Sequence, residues 1–208
     1  MLRIDNFGMI ENLRIKQKRF LGIEKNNIAK LGGVVQINGI VVHQTHTSTA
    51  QETFNSYKDG KAGAHLLIDK DGTIYQTASI YKVAHHVGQM RSRCIAQHSC
   101  DPTETQKYNR MKWQDQVRYG KIEKRKIFPY RYPSNDDSIG IEIVSKALPN
   151  NDSCINKLIF ESVTSEQNNS LKWMVAELTV TLNISMEEIY RHSDVAYKNE
   201  SEAVTARW

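Results

Sequence analysis

The feature that most constrains the fold is a short apolar run that ends at a histidine, Gly39-Ile40-Val41-Val42-His43. Three consecutive β-branched residues predict a strand that is buried on both faces. Such a strand delivers its next residue to the edge of a sheet, where sites are commonly built. His43 is therefore a candidate metal ligand, and the alternative interpretation is a structural histidine at a strand end.

Length, composition and charge limit the domain count and the class of partner. The chain has 208 residues, which suits one domain or one domain with insertions. Its formal net charge of +5 favours polyanionic partners in general. The most basic stretch, Lys121 to Lys126, has Glu123 inside it, so nucleic-acid binding is not predicted.

The sequence carries neither a membrane span nor a secretory signal that can be recognised. No apolar run is long enough to cross a bilayer, so stable membrane insertion is not predicted. The first twenty residues lack the apolar middle and the small-residue cleavage site of a signal peptide. We therefore expect the protein to be made in the cytoplasm and either to stay there or to leave by a route that reads no such signal.

The cysteines leave several interpretations open. Cys94 and Cys100 share one polar loop and could form a disulfide, bind a metal together with His98, or remain free thiols. Their spacing matches no zinc-finger pattern, and we favour a disulfide in an oxidising compartment. Cys154 is predicted to be unpaired.

Strand and helix signals together predict an α/β fold with a mixed central β-sheet flanked by helices. Strands are predicted within residues 34–42 and 138–144, and residues 64–76 read as a hairpin. Capping boxes at Ser48 and Thr164 predict helices, the second of which runs to about Leu182, and a third box at Ser185 predicts a short helical turn.

The remaining segments define the expected domain organisation. Residues 1–33 are predicted to be an irregular lead-in, and residues 34–208 a single domain. Within that domain, residues 89–136 are polar, basic and rich in tyrosine, which predicts a long loop or insertion. This segment forms either a wall of a substrate groove or a surface excursion.

Glu142 is the unusual residue of the last predicted strand, because isoleucines flank it on both sides. A carboxylate on a largely apolar strand is unfavourable unless it is paired, protonated or beside a metal. The alternative is a half-exposed strand with Glu142 in water.

The same residues could assemble a catalytic zinc site. Such a site needs three protein ligands and an open position for water, whose pKa zinc lowers to about 7. His43, His192 and an acidic residue downstream are candidate ligands, Glu142 a candidate proton carrier, and Lys198 a candidate for stabilising an oxyanion. The chain lacks the His-Glu-x-x-His motif that would strengthen this hypothesis.

Taken together, five segments resemble the zinc-dependent N-acetylmuramoyl-L-alanine amidases, a family that also contains phage amidases and peptidoglycan recognition proteins. Each motif is weak alone, but they occur in order over about residues 38–208. The segments are Ile40–His43, Ala64–Gln76 with His65, Ala84–Gly88 with His86, Ser138–Val144 with Glu142, and Tyr190–Ala196 with His192.

The resemblance implies a fold and a chemistry. The fold is that of the peptidoglycan recognition proteins and amidases, and the reaction is hydrolysis of the amide between N-acetylmuramic acid and L-alanine in peptidoglycan. It implies that His43 and His192 bind zinc, that Glu142 is the general base and acid, and that Lys198 stabilises the oxyanion. His65 and His86 are expected to line the substrate groove.

The third ligand departs from the family pattern. The family usually has Lys-x-Asp or Lys-x-Cys after its second histidine, whereas this chain has Lys198-Asn199-Glu200-Ser201-Glu202. Either Glu200 or Glu202 would be the ligand, and we favour Glu202. The ending Glu-Ala-x-Thr-Ala-x-Trp resembles a subgroup delivered between bacteria by type VI secretion. Ala64 stands where some relatives carry a catalytic tyrosine, which implies that this role is absent.

The subgroup resemblance implies an antibacterial effector that acts in the periplasm of a target cell, with an immunity protein in the producing cell. The alternatives are a phage-type endolysin and a non-catalytic peptidoglycan-binding module of the same fold. A basic nucleic-acid-binding protein is a more distant alternative.

Overall fold

The computed structural model describes residues 1–60, 62–149, 158–198 and 200–208. The strands are β1 Arg3–Ile4, β2 Ile10–Glu11, β3 Ile15–Gln17, β4 Glu24–Asn27, β5 Lys30–Leu31, β6 Val34–Val35, β7 Gly39–Gln44, β8 Leu66–Ile68, β9 Ile74–Gln76, β10 Lys82–Ala84, β11 Ser138–Ile143, β12 Ala147–Pro149, β13 Leu158–Phe160 and β14 Ile189–Arg191. The helices are α1 Ala50–Lys58, α2 Arg93–Ala96, α3 Pro102–Asn109, α4 Gln116–Arg125, α5 Ser165–Leu182 and α6 His192–Val195, with 3₁₀ turns at Trp113–Asp115 and Met186–Glu188. Of the described helices, none combines the length and the apolar character that a membrane span requires.

The predicted mixed α/β architecture is confirmed. A six-stranded sheet has the strand order β14-β7-β11-β8-β9-β3. The strands β14, β7, β11 and β8 run parallel to their neighbours, β8 and β9 form the predicted antiparallel hairpin, and β3 adds a parallel edge strand.

The apolar run identified in the sequence forms β7, an inner strand of this sheet between β14 and β11. All six residues of β7 are buried, and Ile40, Val41 and Val42 have no exposed surface. β11 lies beside β7 in parallel, with Glu142 opposite His43. Because parallel strands end at the same edge of a sheet, both polar side chains leave the core at one place.

The two main helices begin close to their predicted caps. α1 is capped by Thr49, whose side chain accepts from the backbone N–H of Glu52, one residue after the predicted position. α5 has the predicted capping box of Thr164 and Gln167 and ends at Asn183, which adopts a left-handed conformation with φ 54°. Its apolar stripe packs into the main core through buried side chains that include Leu171, Met174, Val175 and Leu178.

The prediction of an irregular lead-in over residues 1–33 is wrong. This segment contains β1 to β5, and β3 pairs with β9 as the edge of the central sheet. Ile10, Ile15, Ile23 and Ile28 are buried. Strands of two to four residues are too short to show alternation, so they carry no periodic signal.

Residues 89–136 are more ordered than the predicted long loop. They contain α2, α3 and α4, and a disulfide joins Cys94 to Cys100 with their Cα atoms 4.8 Å apart. The Arg93 guanidinium forms two hydrogen bonds with the Glu188 carboxylate, at 2.7 and 3.0 Å, which tie the insertion to the start of β14. α3 buries no residue and α4 only two, so an apolar stripe was absent from the sequence. Cys154 lies outside the described residues.

Candidate active site

The polar residues at the ends of β7 and β11 open into a cleft of about 400 Å³. α1 forms one wall, and β13 contributes Leu158 and Phe160 to another. The side chains that carry the chemistry of the cleft are His43, Thr53, Tyr57, His85, His86, Glu142, His192, Lys198 and Glu202.

Three of these residues converge as a candidate metal site, namely His43, His192 and Glu202. Their potential ligand atoms lie within 4.8 Å of one another, and all three residues are buried. Oε1 of Glu202 lies 2.9 Å from Nδ1 of His192 and 3.5 Å from Nδ1 of His43. Tetrahedral ligands at about 2.1 Å from zinc lie about 3.4 Å apart, so this spacing suits a zinc ion.

The opposite nitrogen of each histidine ring is held by the protein. Nε2 of His192 donates to the backbone carbonyl of Val87 at 2.9 Å. Nε2 of His43 lies 3.0 Å from Nδ1 of His86, and Nε2 of His86 lies 3.2 Å from Oγ of Ser138, which donates to the carbonyl of Ser134. This series of hydrogen bonds is satisfied when His43 donates from Nε2. Nδ1 of both candidate ligands then carries a lone pair.

The donor set requires a positive charge at its centre. A carbonyl only accepts, so the hydrogen of a neutral His192 must be on Nε2. Its Nδ1 lone pair then faces the Glu202 carboxylate at 2.9 Å, and two electron-pair donors this close repel unless a cation or a proton lies between them. Burial and the nearby His192 lower the pKa of His43 to about 4, which disfavours a proton there and leaves its nitrogen available for a metal. These residues therefore fit zinc.

Glu202, and not Glu200, is the acidic residue that reaches the two histidines. Glu202 is buried, whereas Glu200 is exposed. Burial alone would raise the pKa of Glu202, but hydrogen bonds with His192 and His43 outweigh that effect and hold it well below the ordinary value.

A side-chain amide fixes the backbone next to Glu202. Oε1 of Gln44 accepts from the backbone N–H of Ala203 at 2.6 Å, and its Nε2 donates to Ser145 and to the carbonyl of Glu161, each at 2.9 Å. Ala203 is fully buried with φ 60°, a left-handed conformation that alanine rarely adopts. Gln44 thus holds the chain in the conformation that turns Glu202 inward.

Glu142 lies in the wall of the same cleft, half-buried on β11. Its Oε2 accepts from the hydroxyl of Tyr57 at 2.5 Å. Burial raises the pKa of Glu142 to about 7, although the hydrogen bond from Tyr57 acts in the opposite direction. A carboxyl group that titrates near neutral pH is suited to take and return protons.

Lys198 brings a positive charge to the rim. It is exposed and lines the cleft, and its Cε would lie 3.8 Å from a Cβ added to Gly88. The chain just before Lys198 is held against the start of the insertion, where the N–H of Arg91 donates to Val195 and that of Tyr197 to Gln89. The base of the lysine is therefore fixed, and its ammonium group can reach the cleft.

The sequence of residues 33–203 matches the N-acetylmuramoyl-L-alanine amidase family. The chain belongs to this family. No curated protein matches it in a sequence search.

Solved protein structures have a similar fold. A selenomethionine derivative of AmpD is 16% identical, with a TM-score of 0.54 over 96% of this chain and 93% of that one. AMPDH3 from Pseudomonas aeruginosa, in complex with anhydromuramic pentapeptide, is 19% identical with a TM-score of 0.54 over 83% of this chain and 57% of that one. AmiD from E. coli, with anhydro-N-acetylmuramic acid-L-Ala-D-γ-Glu-L-Lys, is 15% identical with a TM-score of 0.51 over 80% and 52%.

In this member of the family His65 does not lie where the sequence places it. We expected it to line the groove, but it is fully buried and outside the cleft. Nδ1 accepts from the backbone N–H of Gly140 at 3.0 Å, and Nε2 donates to the carbonyl of Lys82 at 2.8 Å. The ring therefore joins β11 to β10 and leaves no nitrogen for a substrate.

His86 does line the cleft, as predicted for a groove residue, but both of its ring nitrogens are already bonded. Its ring packs on Gly140, where an added Cβ would lie 2.8 Å from Cγ of His86. Asn135 holds the backbone of this loop by accepting from the N–H groups of His86 and Val87. Substrate contact through His86 stays a prediction, and its visible contacts orient His43.

Several cleft residues of this amidase-family member were missed, namely Thr53, Tyr57, His85 and Phe160. Tyr57 lies on the buried face of α1, where packing alone would account for an aromatic ring. The signal was available, because a buried tyrosine hydroxyl needs a polar partner and Glu142 needed one as well. The hydroxyl also accepts from the backbone N–H of Ala64 at 3.3 Å, the position where some relatives carry a tyrosine.

Proposed function

We propose that the protein is a zinc-dependent amidase that hydrolyses the bond between N-acetylmuramic acid and L-alanine in peptidoglycan. The observation that carries this proposal is the convergence of His43, His192 and Glu202 in one cleft with Glu142 and Lys198. Membership of the amidase family supports the reaction. The muramyl peptides bound to AMPDH3 and AmiD support this substrate class.

His43 and His192 would hold zinc through Nδ1, and Glu202 through its carboxylate. Zinc in such a site supplies a Lewis acid for the substrate carbonyl and a hydroxide nucleophile near neutral pH. The hydrogen bonds to Val87 and His86 keep both imidazole rings in the required tautomer and orientation.

Glu142 carries the proton. Since Oε2 accepts from Tyr57, Oε1 takes a proton from the attacking water as the water oxygen bonds to the amide carbon. Glu142 then gives that proton to the amide nitrogen as the C–N bond breaks. The products are the lactyl carboxyl group of muramic acid and the free amino group of L-alanine, and the ammonium of Lys198 stabilises the negative oxygen formed between these steps.

The biological setting is part of the proposal. The chain ending that contains Glu202 resembles the type VI secretion subgroup, and a net charge of +5 suits an anionic cell wall. We propose an antibacterial effector that acts in the periplasm of a target cell and is neutralised by an immunity protein in the producing cell. A phage-type endolysin is the second candidate, since it would use the same site.

The test is digestion of purified sacculi by the zinc-loaded protein, followed by mass analysis of the products. We expect free stem peptides that begin with L-alanine and glycans that carry unsubstituted lactyl groups. His43→Ala should lose both the zinc and the cleavage, whereas the parallel substitution His98→Ala, in the disulfide loop, should keep both. A zinc-loaded wild-type protein that binds sacculi without releasing peptides would instead be a binding module.

A further inference from the structure

We infer that Tyr57 is a positioning residue for the catalytic carboxylate of Glu142. This inference rests on the proposed function, in which Glu142 transfers the proton. It adds a residue from α1 to a site whose other members lie at strand ends and in the C-terminal segment.

The hydroxyl of Tyr57 has two contacts that fix the direction of its proton. It lies 2.5 Å from Oε2 of Glu142 and accepts from the backbone N–H of Ala64 at 3.3 Å. Since that N–H already supplies a hydrogen to the phenol oxygen, the phenol's own hydrogen is directed to Glu142. Tyr57 therefore acts as a donor to the carboxylate.

The ring of Tyr57 is held rigidly enough to transmit this orientation. Tyr57 is 3% exposed, and its ring meets that of Phe20 edge-on with centroids 5.7 Å apart. Gly63 passes beside the ring so closely that an added Cβ would lie 3.0 Å from Cε1 of Tyr57. With the ring confined on these sides, the hydroxyl has one position relative to β11.

Glu142 needs such a partner. It projects from a strand between Ile141 and Ile143 into a cleft wall, and a carboxylate there can rotate about its last bond. Among the residues that the structure describes, Tyr57 is the one whose side chain hydrogen-bonds to Glu142. The bond holds Oε2, so Oε1 is the oxygen that faces the reacting water.

The test is a double-mutant cycle between Tyr57→Phe and Glu142→Gln, measured on a soluble muramyl tripeptide. Tyr57→Phe removes one oxygen and keeps the ring. We expect kcat to fall about 10- to 100-fold with KM within about twofold, because misorientation of a catalytic group affects the reaction step more than binding. In the Glu142→Gln background, the same substitution should change kcat less than about twofold, because the group that Tyr57 positions is already inactive.

Two controls separate positioning from general damage. The zinc content of Tyr57→Phe should stay close to wild type, and its melting temperature should fall by only about 2–6 °C, because the backbone N–H of Ala64 loses its acceptor. Tyr108→Phe removes the hydroxyl of a second tyrosine that is bonded to a buried glutamate, Glu123, outside the residues that line the cleft, and should leave kcat unchanged.

The possible failures are distinguishable. A wild-type protein that cleaves nothing would overturn the proposed function and this inference together. If the wild type cleaves while Tyr57→Phe keeps its kcat, only the inference is overturned. The inference is also overturned if Tyr57→Phe loses activity equally in both backgrounds, since Tyr57 would then act through something other than Glu142.

Discussion

Four buried histidines form a row through this protein, and its two halves use the same side chain in opposite ways. The ring centroids are 5.7 Å apart from His65 to His86, 5.1 Å from His86 to His43, and 4.1 Å from His43 to His192. In His65 and His86 both ring nitrogens are bonded to other groups. In His43 and His192 one nitrogen is held by the protein and Nδ1 faces Glu202.

The difference shows that burial does not identify a ligand. All four side chains are at most 9% exposed, and burial lowers the pKa of both His43 and His65 to about 4. What separates them is the partner of the second nitrogen: a backbone N–H for His65, a carboxylate for His192. A histidine with two protein partners is structural, whereas one with a lone pair facing a carboxylate is prepared for a cation.

The largest expected effect comes from substituting a candidate ligand, His192, beside a structural histidine, His65. His192→Ala removes a ligand and should lower both zinc occupancy and amidase activity by a factor on the order of 1,000 or more. His65→Gln should keep about one zinc per chain, because His65 contributes no ligand atom. Zinc content by atomic absorption, measured beside the rate of sacculus digestion, checks both variants. Loss of zinc in His65→Gln with the fold intact would contradict the division of the row.

The second prediction concerns stability and pH, and it isolates His65. Its pKa in the folded protein is about 4, below its ordinary value of 6.5. A lowered pKa means that the unfolded chain binds the proton first, so the stabilisation is complete above pH 6.5 and is lost as the pH falls through 4. The free energy of unfolding should therefore fall by about 3 kcal/mol from this residue alone between pH 7.5 and pH 4.

Urea unfolding of the chelator-treated protein measures this fall. The His43 ring contributes in the same direction, so the wild type must be compared with His65→Gln, in which His43 is retained. The variant should be less stable at pH 7.5, and its stability should fall less on acidification. If both proteins lost the same free energy between pH 7.5 and pH 4, His65 would not be the neutral, doubly bonded residue of the structure.

The parts of the fold that were predictable are those with a strong local period. β7 is a run of β-branched residues and α5 carries both a capping box and a three- and four-residue apolar stripe, so both were found. The short strands of residues 1–33 and the polar helices of residues 89–136 have no such period. Their order depends on contacts made far along the chain, such as Arg93 with Glu188 and β3 with β9.

The candidate site, like the fold, could be predicted only in part. His43 and Glu142 stand at the ends of apolar strands, where a polar residue is conspicuous, and sequence resemblance strengthened the candidates His192 and Lys198. Sequence spacing could not choose between Glu200 and Glu202, because the choice depends on the left-handed turn at Ala203 and the Gln44 amide that holds it. The role of Tyr57 was not predictable, because its place on the core face of α1 already explained an aromatic ring.

The third prediction tests the boundary between the two halves of the row. His86 has two bonded nitrogens like His65, yet one of its partners is the candidate ligand His43. His86→Ala should therefore weaken zinc binding about 10- to 100-fold without abolishing it, because His43 loses the acceptor that orients its ring. A competing chelator measures the affinity, and the adjacent His85→Ala, in the cleft but without a bond to a ligand, should leave it unchanged. Equal zinc affinities for wild type and His86→Ala would mean that His86, like His65, is purely structural.

The smallest effect is expected for the side chain of Gln44, which acts on the candidate ligand Glu202 only through the backbone of Ala203. Gln44→Met keeps the length of the side chain but removes the amide that accepts from the N–H of Ala203, so the segment carrying Glu202 should lose its fixed turn. We expect zinc affinity to fall about tenfold.

Asn168→Leu provides the matched control, because that amide also holds the C-terminal segment, at Arg207, but is farther along the chain from Glu202. It should lower stability without changing zinc affinity. Equal losses of zinc affinity in the two variants would mean that the whole C-terminal segment, rather than the turn at Ala203, sets the position of Glu202. If neither variant lost affinity, the carboxylate would be positioned by the histidines it faces, and the row of four rings would be sufficient to build the site.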